Sequence, residues 1–338
     1  MTAKKITIRD VARLAGVSVG TASRAMNAAP GVMESTRRTV QAAAQELGYR
    51  PNAAARALRS RSSRLIGCLF SDLENPLYMR LFNSLQDKWA EAGFVTLMTS
   101  SSGRLEREHR AIATFAERGL DAIVIAPGHE RDPELVRLLN AFPGPIFVVD
   151  RDTPVAADRL LFDHEGAMRL AVDHLAGLGH RRILPVFSHV TTRPGLLRHA
   201  AFDRAMTGAD LPLGPRVEPE TPNSPVFAEV REALSAPDRP TAMVVQGTQV
   251  LSSTLNALAH LGLRVPEDVS LIAIGDSALT EEHVPPITTL RLDREAMVDV
   301  IANRVLAQIR GEFDGVEDRW LSYELIERSS CVALTSAD

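Results

Sequence analysis

The sequence predicts a small all-α domain at the N-terminus, followed by a larger α/β core that is divided into two lobes. In the first 48 residues, apolar side chains recur at the spacing of helices. From residue 65 onward, short apolar runs alternate with longer amphipathic segments, which is typical of parallel strands connected by helices. The net charge also changes sign between these two regions. At 338 residues, the chain is long enough for two or three domains with buried cores.

Positive charge is concentrated in the N-terminal region. Residues 1–64 contain twelve Lys and Arg against three Asp and Glu, which gives a net charge of +9. Because the whole chain carries −4, residues 65–338 must carry −13. A basic end on an acidic body is typical of a protein with a nucleic-acid-binding module.

The first helix is predicted to begin at Ile8. Thr7 and Asp10, three residues apart, form a capping box in which each side chain satisfies a backbone N–H of the first turn. Three apolar residues then lie on one face at helical spacing: Val11, Leu14 and Ala15. Gly16 is suited to the left-handed conformation that commonly ends a helix, because it lacks a Cβ.

A second helix is predicted over 19–26, with Ser18 as its N-cap. Its inward face is formed by Ala22, Ala25 and Met26. Its outward face, near the start, is formed by Val19, Gly20, Thr21, Ser23 and Arg24. This is the layout of a helix-turn-helix, whose second helix enters the DNA major groove. Many helical hairpins with a glycine turn bind no DNA, but the charge of +9 favours DNA binding here.

A third helix is predicted over 34–47, with an apolar stripe that closes a three-helix core. Gly48 and the proline that follows end this helix. Residues 52–58 consist of good helix formers behind a capping Asn52, but so short a helix is unstable alone in water. The basic linker at 59–64 follows. We therefore expect this segment to become ordered only when it docks on a partner.

The remaining chain predicts two successive βαβ series. In the first, apolar runs lie at 65–70, 94–98, 122–126 and 146–150, with helices near 76–92, 104–117 and 132–141. In the second, runs lie at 183–187, 242–245 and 269–274, with helices near 165–177, 196–207, 226–235 and 248–261. A strand at 288–292, a helix at 293–310 and a closing strand at 320–323 follow. Two doubly wound lobes would place a ligand cleft at the carboxyl ends of their strands.

Several classes of protein are disfavoured by the sequence. It contains neither an apolar run of membrane-spanning length nor the apolar core of a signal peptide, so we expect a cytoplasmic protein without membrane contact. Cys68 and Cys331 lack a CxxC partner, so neither a disulfide nor a zinc site is expected. G-x-S-x-G occurs at 16–20, but without the preceding strand of a nucleophile elbow, and nucleotide-binding and metalloprotease motifs do not occur. We expect no catalytic residue, no metal and no cofactor.

Five segments resemble the lactose/galactose-repressor (LacI/GalR) family: TIRDVARLAGVSVGTASRAMN, LGYRPNAAARAL, HLAGLGHRRI, GLRVPEDVSLIAIGD and PPITTLRLD. The resemblance implies a transcription regulator with an all-α helix-turn-helix headpiece (1–48), a hinge helix with its linker (49–63) and an α/β periplasmic-binding-protein-like core (64–338). It also implies that one lobe comprises about 64–161 and 293–322, and the other about 162–292 and 323–338. Such cores form homodimers, bind a small-molecule effector between the lobes and thereby change the affinity for operator DNA. Because the chain stops soon after the core, a dimer is expected rather than a tetramer.

The resemblance assigns DNA contacts to the headpiece and the hinge. The base-contacting positions of the family fall on Val19 and Gly20, and Arg24 matches an arginine that contacts a base or a phosphate. Val19 can contact a thymine methyl group, whereas Gly20 offers no side chain. Positions that contact phosphate and set the register are matched by Thr7, Ser18, Thr21, Ser23 and Asn27. The hinge contributes a leucine that wedges into the minor groove, a residue on the same face and the helix cap: Leu58, Ala55 and Asn52.

The resemblance also implies an effector site. Its matched positions are Asp72, Asn75, Asp150, Arg198, Gly247 and Asp276. The asparagine–aspartate pair usual after the strand at 242–245 is Gly247-Thr248 here, and the aspartate usual after Ile274 is Gly275. In the family, the side chains that are missing here often bind sugar hydroxyls. A site built around such bonds rejects analogues that leave its polar groups unpaired, and this selectivity is weakened here. Either the effector is not a simple sugar or the pocket is degenerate; a sugar or a sugar-derived acid is the class considered.

Three classes of function stay open on these grounds. The leading one is an effector-responsive repressor that binds a palindromic operator as a dimer. The second is a regulator whose core answers a protein partner or no ligand, which Gly247 and Gly275 allow. The third is an enzyme on an α/β body, for which the sequence offers no catalytic motif.

Overall fold

A computed structural model describes residues 6–27, 31–49, 62–187, 191–219, 224–313 and 315–334. The chain divides into two compact units, residues 1–63 and residues 64–338. The described part of the first unit contains three helices, and that of the second contains two β-sheets with their helices. Within the described ranges, no helix is long and apolar enough to cross a membrane.

The first unit is built from α1 (Ile8–Leu14), α2 (Val19–Met26) and α3 (Glu34–Glu46). The capping box is present at α1, where Thr7 N and Thr7 Oγ1 donate to Asp10 Oδ2 at 3.0 and 2.7 Å. Gly16 has φ +66°, in the left-handed region that the turn between α1 and α2 requires. The three predicted helices are therefore confirmed, with α3 ending one residue earlier than expected.

The core of the first unit consists largely of alanine. Its buried residues are Val11, Ala12, Ala22, Ala25, Val40, Ala43 and Ala44. The helical spacing places Leu14 on the buried face, but Leu14 is 47% exposed, and Ala12 is buried instead. After α1, the chain folds back over the side of the helix that carries Ala12. The hydrogen bond from Val17 N to Ala12 O, at 3.0 Å, holds this turn. Small side chains at these contacts let the three helices approach closely.

The second unit begins with β1 (Leu65–Phe70), α4 (Pro76–Glu91), β2 (Val95–Ser100), α5 (Leu105–Glu117), β3 (Ala122–Ala126), α6 (Pro133–Asn140), β4 (Ile146–Val149) and β5 (Asp158–Phe162). It continues with α7 (His164–Gly177), β6 (Ile183–Val186), α8 (Arg193–Gly208), α9 (Phe227–Ser235), β7 (Ala242–Gln246), α10 (Thr248–Leu261), β8 (Ser270–Ile274), α11 (Ala278–Glu282) and β9 (Thr288–Leu292). Its last elements are α12 (Arg294–Arg310), β10 (Asp318–Leu321) and β11 (Tyr323–Ile326).

These strands form two sheets, which define two lobes. The first lobe contains a six-stranded parallel sheet in the order β10–β5–β4–β3–β1–β2. The second lobe contains a five-stranded sheet in the order β11–β9–β8–β7–β6, in which β11 runs antiparallel to β9. The central strands β3 and β8 are buried along their whole length, as expected for sheets covered on both faces. The chain crosses between the lobes after β5, after β9 and between β10 and β11, and the predicted two-lobed α/β core is confirmed.

Three details of the core differ from the expectation. The strand β5 was not predicted, because it begins with the charged residues Asp158 and Arg159; Asp158 is nevertheless buried and lies 3.0 Å from Arg304 Nε. The predicted closing strand at 320–323 is two strands, β10 and β11, because the chain passes from one sheet to the other at Ser322. The short helix α11 follows β8 and was also missed.

Candidate functional site

The exposed start of α2 is the first candidate site. Ser18 caps this helix, since Thr21 N donates to Ser18 Oγ at 3.1 Å and the two hydroxyl oxygens lie 2.9 Å apart. Val19 is 45% exposed, and Gly20 and Arg24 are exposed on the same short helix. We call Val19, Gly20 and Arg24 the α2 face. The predicted base-contacting positions thus lie at the solvent-exposed surface of one helix.

The residues expected to contact phosphate lie on α2 and at the start of α1. Thr7 caps α1, and its side chain is exposed. Asn27 is the C-cap of α2, and its Nδ2 donates to Ser23 O at 2.8 Å. Thr21 and Ser23 are half-buried, whereas Ser18 is exposed. The hinge candidates, namely Asn52, Ala55 and Leu58, lie outside the described residues.

Gly20 leaves a gap in the middle of the α2 face. A Cβ at Gly20 would meet only Ser18 Oγ, at 3.8 Å, which is an ordinary van der Waals distance. Packing within the chain therefore does not require glycine at this position. The absence of a side chain at Gly20 therefore affects only the exposed surface of α2, not the packing beneath the helix.

The second candidate site is a cavity of about 590 Å³ between the two lobes, which we call the cleft. The start of α4 and the start of α12 line it from the first lobe, and the strand ends of β7, β8 and β9 line it from the second. Four predicted effector residues line the cleft: Asn75, Arg198, Gly247 and Asp276. Two others, Asp72 and Asp150, are not among the lining residues. A cleft at the carboxyl ends of the strands is the expected ligand position in doubly wound sheets.

Asp72 and Asn75 organise the loop between β1 and α4. Asp72 Oδ1 accepts a hydrogen bond from Glu74 N at 2.8 Å. Asn75 is the N-cap of α4, and its Oδ1 accepts from Leu77 N at 3.0 Å. Of the two predicted ligand contacts in this loop, Asn75 reaches the cleft, while Asp72 serves the turn before it.

Arg198, on α8, lines the cleft and is buried at 9% exposure. Its Nε donates to His164 Nδ1 at 3.3 Å, and its Nη2 donates to the Tyr323 hydroxyl at 3.4 Å. The other ring nitrogen of His164, Nε2, lies 2.9 Å from Asp150 Oδ2. Because His164 Nδ1 accepts a hydrogen bond, the ring proton must be on Nε2, which donates it to Asp150. These contacts hold the Arg198 side chain in one orientation.

Burial determines the protonation of the groups around Arg198. Burial lowers the pKa of His164, and the charge of Arg198 lowers it further. Burial raises the pKa of the Tyr323 hydroxyl above its ordinary value. Burial also raises the pKa of Asp150, but the hydrogen bond from His164 and the charge of Arg193 outweigh this, so the pKa lies below its ordinary value. The direct partners of Arg198 are therefore neutral, whereas Asp150 is ionised.

Asp150 is engaged by an arginine of the protein itself. Its Oδ1 accepts from Arg193 Nη1 at 2.6 Å, and both side chains are 4% exposed. Arg193 Nε also lies 3.1 Å from Asp152 Oδ1, and its guanidinium lies 5.3 Å from the Trp320 ring centroid. Asp150 thus lies outside the lining of the cleft, and its carboxylate holds Arg193 and the ring of His164 in place.

Arg193 joins the two lobes. It is the first residue of α8 in the second lobe, whereas Asp150 follows β4 of the first lobe. Glu130, from the loop after β3, accepts a hydrogen bond from Arg193 N at 2.7 Å and so caps α8 from across the lobes. The sequence-based prediction missed this, because it began the helix at 196. The proline after Arg193 was the available signal, since proline is common in the first helical turn.

Asp276 lines the cleft, but its carboxylate is already paired. Arg328 Nη2 lies 3.0 Å from Asp276 Oδ1, and Thr280 Oγ1 donates to the same oxygen at 2.9 Å. Arg80, on α4 of the first lobe, donates to the backbone oxygen of Asp276 at 3.3 Å. Asp276 therefore stabilises the loop after β8, and its backbone carbonyl bonds across the cleft.

Two glycines leave open space at the strand ends of the second lobe. Gly247 has φ +62° and Gly275 has φ +100°, both in the region that residues with a Cβ rarely adopt. A Cβ at either position would meet nothing within 4 Å. The backbone conformation favours glycine here, and no polar side chain projects from either position into the cleft. Within the described ranges, no group of three metal-ligating side chains occurs either.

Three segments of the chain match known protein families. Residues 7–52 match the family described as bacterial regulatory proteins, lacI family. Residues 63–210 match the periplasmic binding proteins and sugar binding domain of the LacI family. Residues 172–331 match the periplasmic binding protein-like domain. The three matches together extend over the helical unit and both lobes.

Curated relatives are similar over most of their length. The HTH-type transcriptional repressor PurR of Vibrio vulnificus (strain CMCP6) is 30% identical over 288 residues, which cover 84% of this chain and 86% of that protein. The ribose operon repressor of Escherichia coli (strain K12) is 28% identical over 310 residues, which cover 88% of this chain and 93% of that protein. Both relatives are transcriptional repressors and not enzymes, so the enzyme alternative is set aside.

Solved structures of similar proteins have a similar fold. The lac repressor dimer bound to operator and the anti-inducer ONPF superimposes with a TM-score of 0.85 at 26% identity, covering 98% of this chain and 100% of that chain. The complex of the transcriptional regulator CelR with cellobiose has a TM-score of 0.70 at 25% identity, covering 96% of this chain and 99% of that chain. These likenesses agree with the fold derived above.

Proposed function

Since the chain belongs to the lacI family of bacterial regulatory proteins, we propose that it is a repressor that binds a palindromic operator as a homodimer. The observation that carries this proposal is the exposed α2 face, in a region of residues 1–64 with a net charge of +9. A helix with exposed residues at its start fits the DNA major groove, and the cations around it neutralise phosphates. The similarity to a lac repressor dimer bound to operator supports the dimeric state. Operator binding implies that the protein acts in the cytoplasm.

The proposed repressor responds to a small-molecule effector in the cleft. A concave site of about 590 Å³ is of the size that holds small molecules rather than a protein segment. Arg198 presents a fixed, charged fork of donors inside it. These features favour a small effector over control by a protein partner. A ligand that contacts both lobes binds the closed and open arrangements unequally, and so can shift the equilibrium between them.

The proposed division of the chain is a headpiece at 1–48, a hinge with its linker at 49–63, and a core at 64–338. The separation of two compact units after Ser63 supports the last boundary. Within the core, the first lobe comprises about 64–161 and 293–322, and the second about 162–292 and 323–338. Membership of β5 and β10 in the first sheet, and of β11 in the second, supports this assignment. The hinge contacts proposed for Asn52, Ala55 and Leu58 rest on the sequence resemblance.

The α2 face is proposed to contact base edges, and the residues around it to contact phosphate. Val19 and Arg24 offer the side chains for base contacts, and Gly20 lets a base edge approach the helix backbone. The proposed phosphate contacts are Thr7, Ser18, Thr21, Ser23 and Asn27. Selection of binding sites from random DNA with the full-length protein tests the proposal, and it should yield palindromic sites with two equal half-sites.

Replacing Arg24 by alanine is expected to cost about 1–3 kcal/mol of operator binding and to relax the preference at one base of each half-site. Alanine cannot replace the hydrogen bonds that the Arg24 guanidinium would donate to the edge of a guanine. Binding-site selection and anisotropy titration measure both effects. If Arg24 contacts phosphate instead, binding weakens equally on all sequences. Arg38→Ala, which removes an exposed arginine of α3, is the control and should change no base preference. Unchanged binding of the Arg24 variant to every sequence would remove the α2 face from the interface.

Replacing Arg198 by alanine is expected to abolish the response of operator binding to the effector. The substitution removes both the charge and the rigid fork of donors that orients a ligand. A screen of metabolites for operator release by the wild-type protein identifies the effector, and the variant is then titrated with it. Arg204→Ala, on the same helix but paired with Glu165 at the surface, is the control. An Arg198 variant that responds like the wild type would place the effector elsewhere.

A further inference from the structure

Among the described residues, no carboxylate contacts the buried positive charge of Arg198 in the cleft. Arg198 is 9% exposed, and its direct partners are the neutral ring of His164 and the Tyr323 hydroxyl. The nearest carboxylate along this hydrogen-bond chain, Asp150, lies behind the His164 ring and is ion-paired with Arg193 at 2.6 Å. A buried ion without a directly bound counter-ion is costly in free energy. A negative group in the cleft beside Arg198 would remove that cost.

The acidic side chains that line the cleft have partners of their own or are exposed. The Asp276 carboxylate lies 3.0 Å from Arg328, and Glu324 lies 3.2 Å from Arg291. Asp293 caps α12, accepting from Ala296 N at 3.0 Å. The remaining two, Glu281 and Glu295, are exposed. Among the described residues, the cleft therefore presents no buried carboxylate that is unpaired and could accept hydrogen bonds from a neutral or cationic ligand.

The start of α10 leaves open space in the same cleft. Its N-cap is Gly247, which lines the cleft and whose N–H donates to Ile274 O at 3.2 Å. A Cβ at Gly247 would meet nothing within 4 Å. The cleft therefore has room for a ligand at this end of the strands of the second lobe.

We propose that the effector is an anion, whose carboxylate or phosphate group binds Arg198 in the cleft. The inference rests on the proposed function, because it specifies the ligand class of the same cleft. The glycines at 247 and 275 fit it as well, because a site that recognises a compact anion by a guanidinium needs no side chains at those positions to hold sugar hydroxyls.

Titration calorimetry on the full-length protein tests the inference with the simplest anions. In Tris-chloride buffer at constant ionic strength, inorganic phosphate or acetate should bind saturably where added chloride does not, and the stronger of the two indicates which group the effector carries. Arg198→Gln should weaken that binding at least about tenfold, since it removes a charge-assisted bond. Arg198→Lys, which keeps the charge but not the fork, should lie between, and it guards against a Gln variant that fails to fold. Arg204→Gln, on the same helix, should bind as the wild type does.

Two calorimetric results would overturn the inference. One is that neither phosphate nor acetate binds. The other is binding that Arg198→Gln leaves unchanged, because the anion then occupies the basic headpiece rather than the cleft. The proposed function and the inference can fail separately. If a neutral sugar such as D-galactose releases operator through Arg198, the effector site is supported and the anion inference is wrong. If the wild-type protein binds no DNA, the repressor proposal is wrong, whether or not the protein binds phosphate.

Discussion

Raising the salt concentration from about 50 to 200 mM is expected to weaken operator binding by the full-length protein about a thousandfold or more. Residues 1–64 carry +9 on a body of −13, so attraction to DNA comes from the headpiece region alone. Each phosphate that a cation neutralises releases condensed counterions, and the gain from this release falls as the salt concentration rises. A dimer with two headpieces doubles the number of such contacts. Fluorescence anisotropy over a KCl series measures the slope.

A fragment of residues 64–338 is the control for this result. The fragment contains the whole second compact unit and both sheets but none of the three helices of the headpiece. It should retain its fold, measured by circular dichroism, and should not shift operator DNA at any salt concentration. A fragment that still binds the operator, or a full-length protein whose affinity is insensitive to salt, would contradict the assignment of the headpiece.

The headpiece could be predicted almost residue by residue because its signals are local. Thr7 and Asp10 form their capping box within one turn, and Ser18 caps α2 through Thr21, three residues away. Apart from the end of α3, which differs by one residue, the error at Leu14 concerns the direction in which the chain turns over α1. That direction depends on the bond from Val17 N to Ala12 O, which belongs to the packed unit rather than to the helical spacing.

The cleft could be predicted only in part because its main contacts join distant parts of the chain. Arg198 and Gly247 match positions of a known pattern, and the structure places both in the cleft lining. The ion pair of Arg193 with Asp150 spans 43 positions in sequence and two sheets. No periodicity or spacing rule couples residues so far apart. The strand β5 was missed for the same reason, since the ion pair that permits Asp158 in a buried strand comes from Arg304 on α12.

Replacing Arg193 by methionine is expected to destabilise the second unit by roughly 3–5 kcal/mol, because it leaves the buried Asp150 carboxylate without its counter-ion. Methionine keeps most of the side-chain volume, so the effect is mainly that of the charge. Both partners are 4% exposed, and solvent therefore screens the pair little. Urea unfolding followed by fluorescence suits the measurement, since the chain contains two tryptophans. Trp320 lies beside Arg193, and Trp89 is fully buried in the core of the first lobe.

Two further variants separate the contribution of the ion pair from other effects of the substitution. Arg204→Met, on the same helix, breaks a pair whose two side chains are 56% and 52% exposed, and it should leave the stability nearly unchanged. Arg193→Met combined with Asp150→Asn should be less destabilising than Arg193→Met alone, because no unpaired charge stays buried. Equal losses for the Arg193 and Arg204 variants would show that the interlobe pair contributes nothing. A double variant as unstable as the single one would assign the loss to the packing of Arg193 against Trp320 instead of to its charge. In either case other contacts, such as that of Arg80 with the Asp276 carbonyl, would hold the two lobes together.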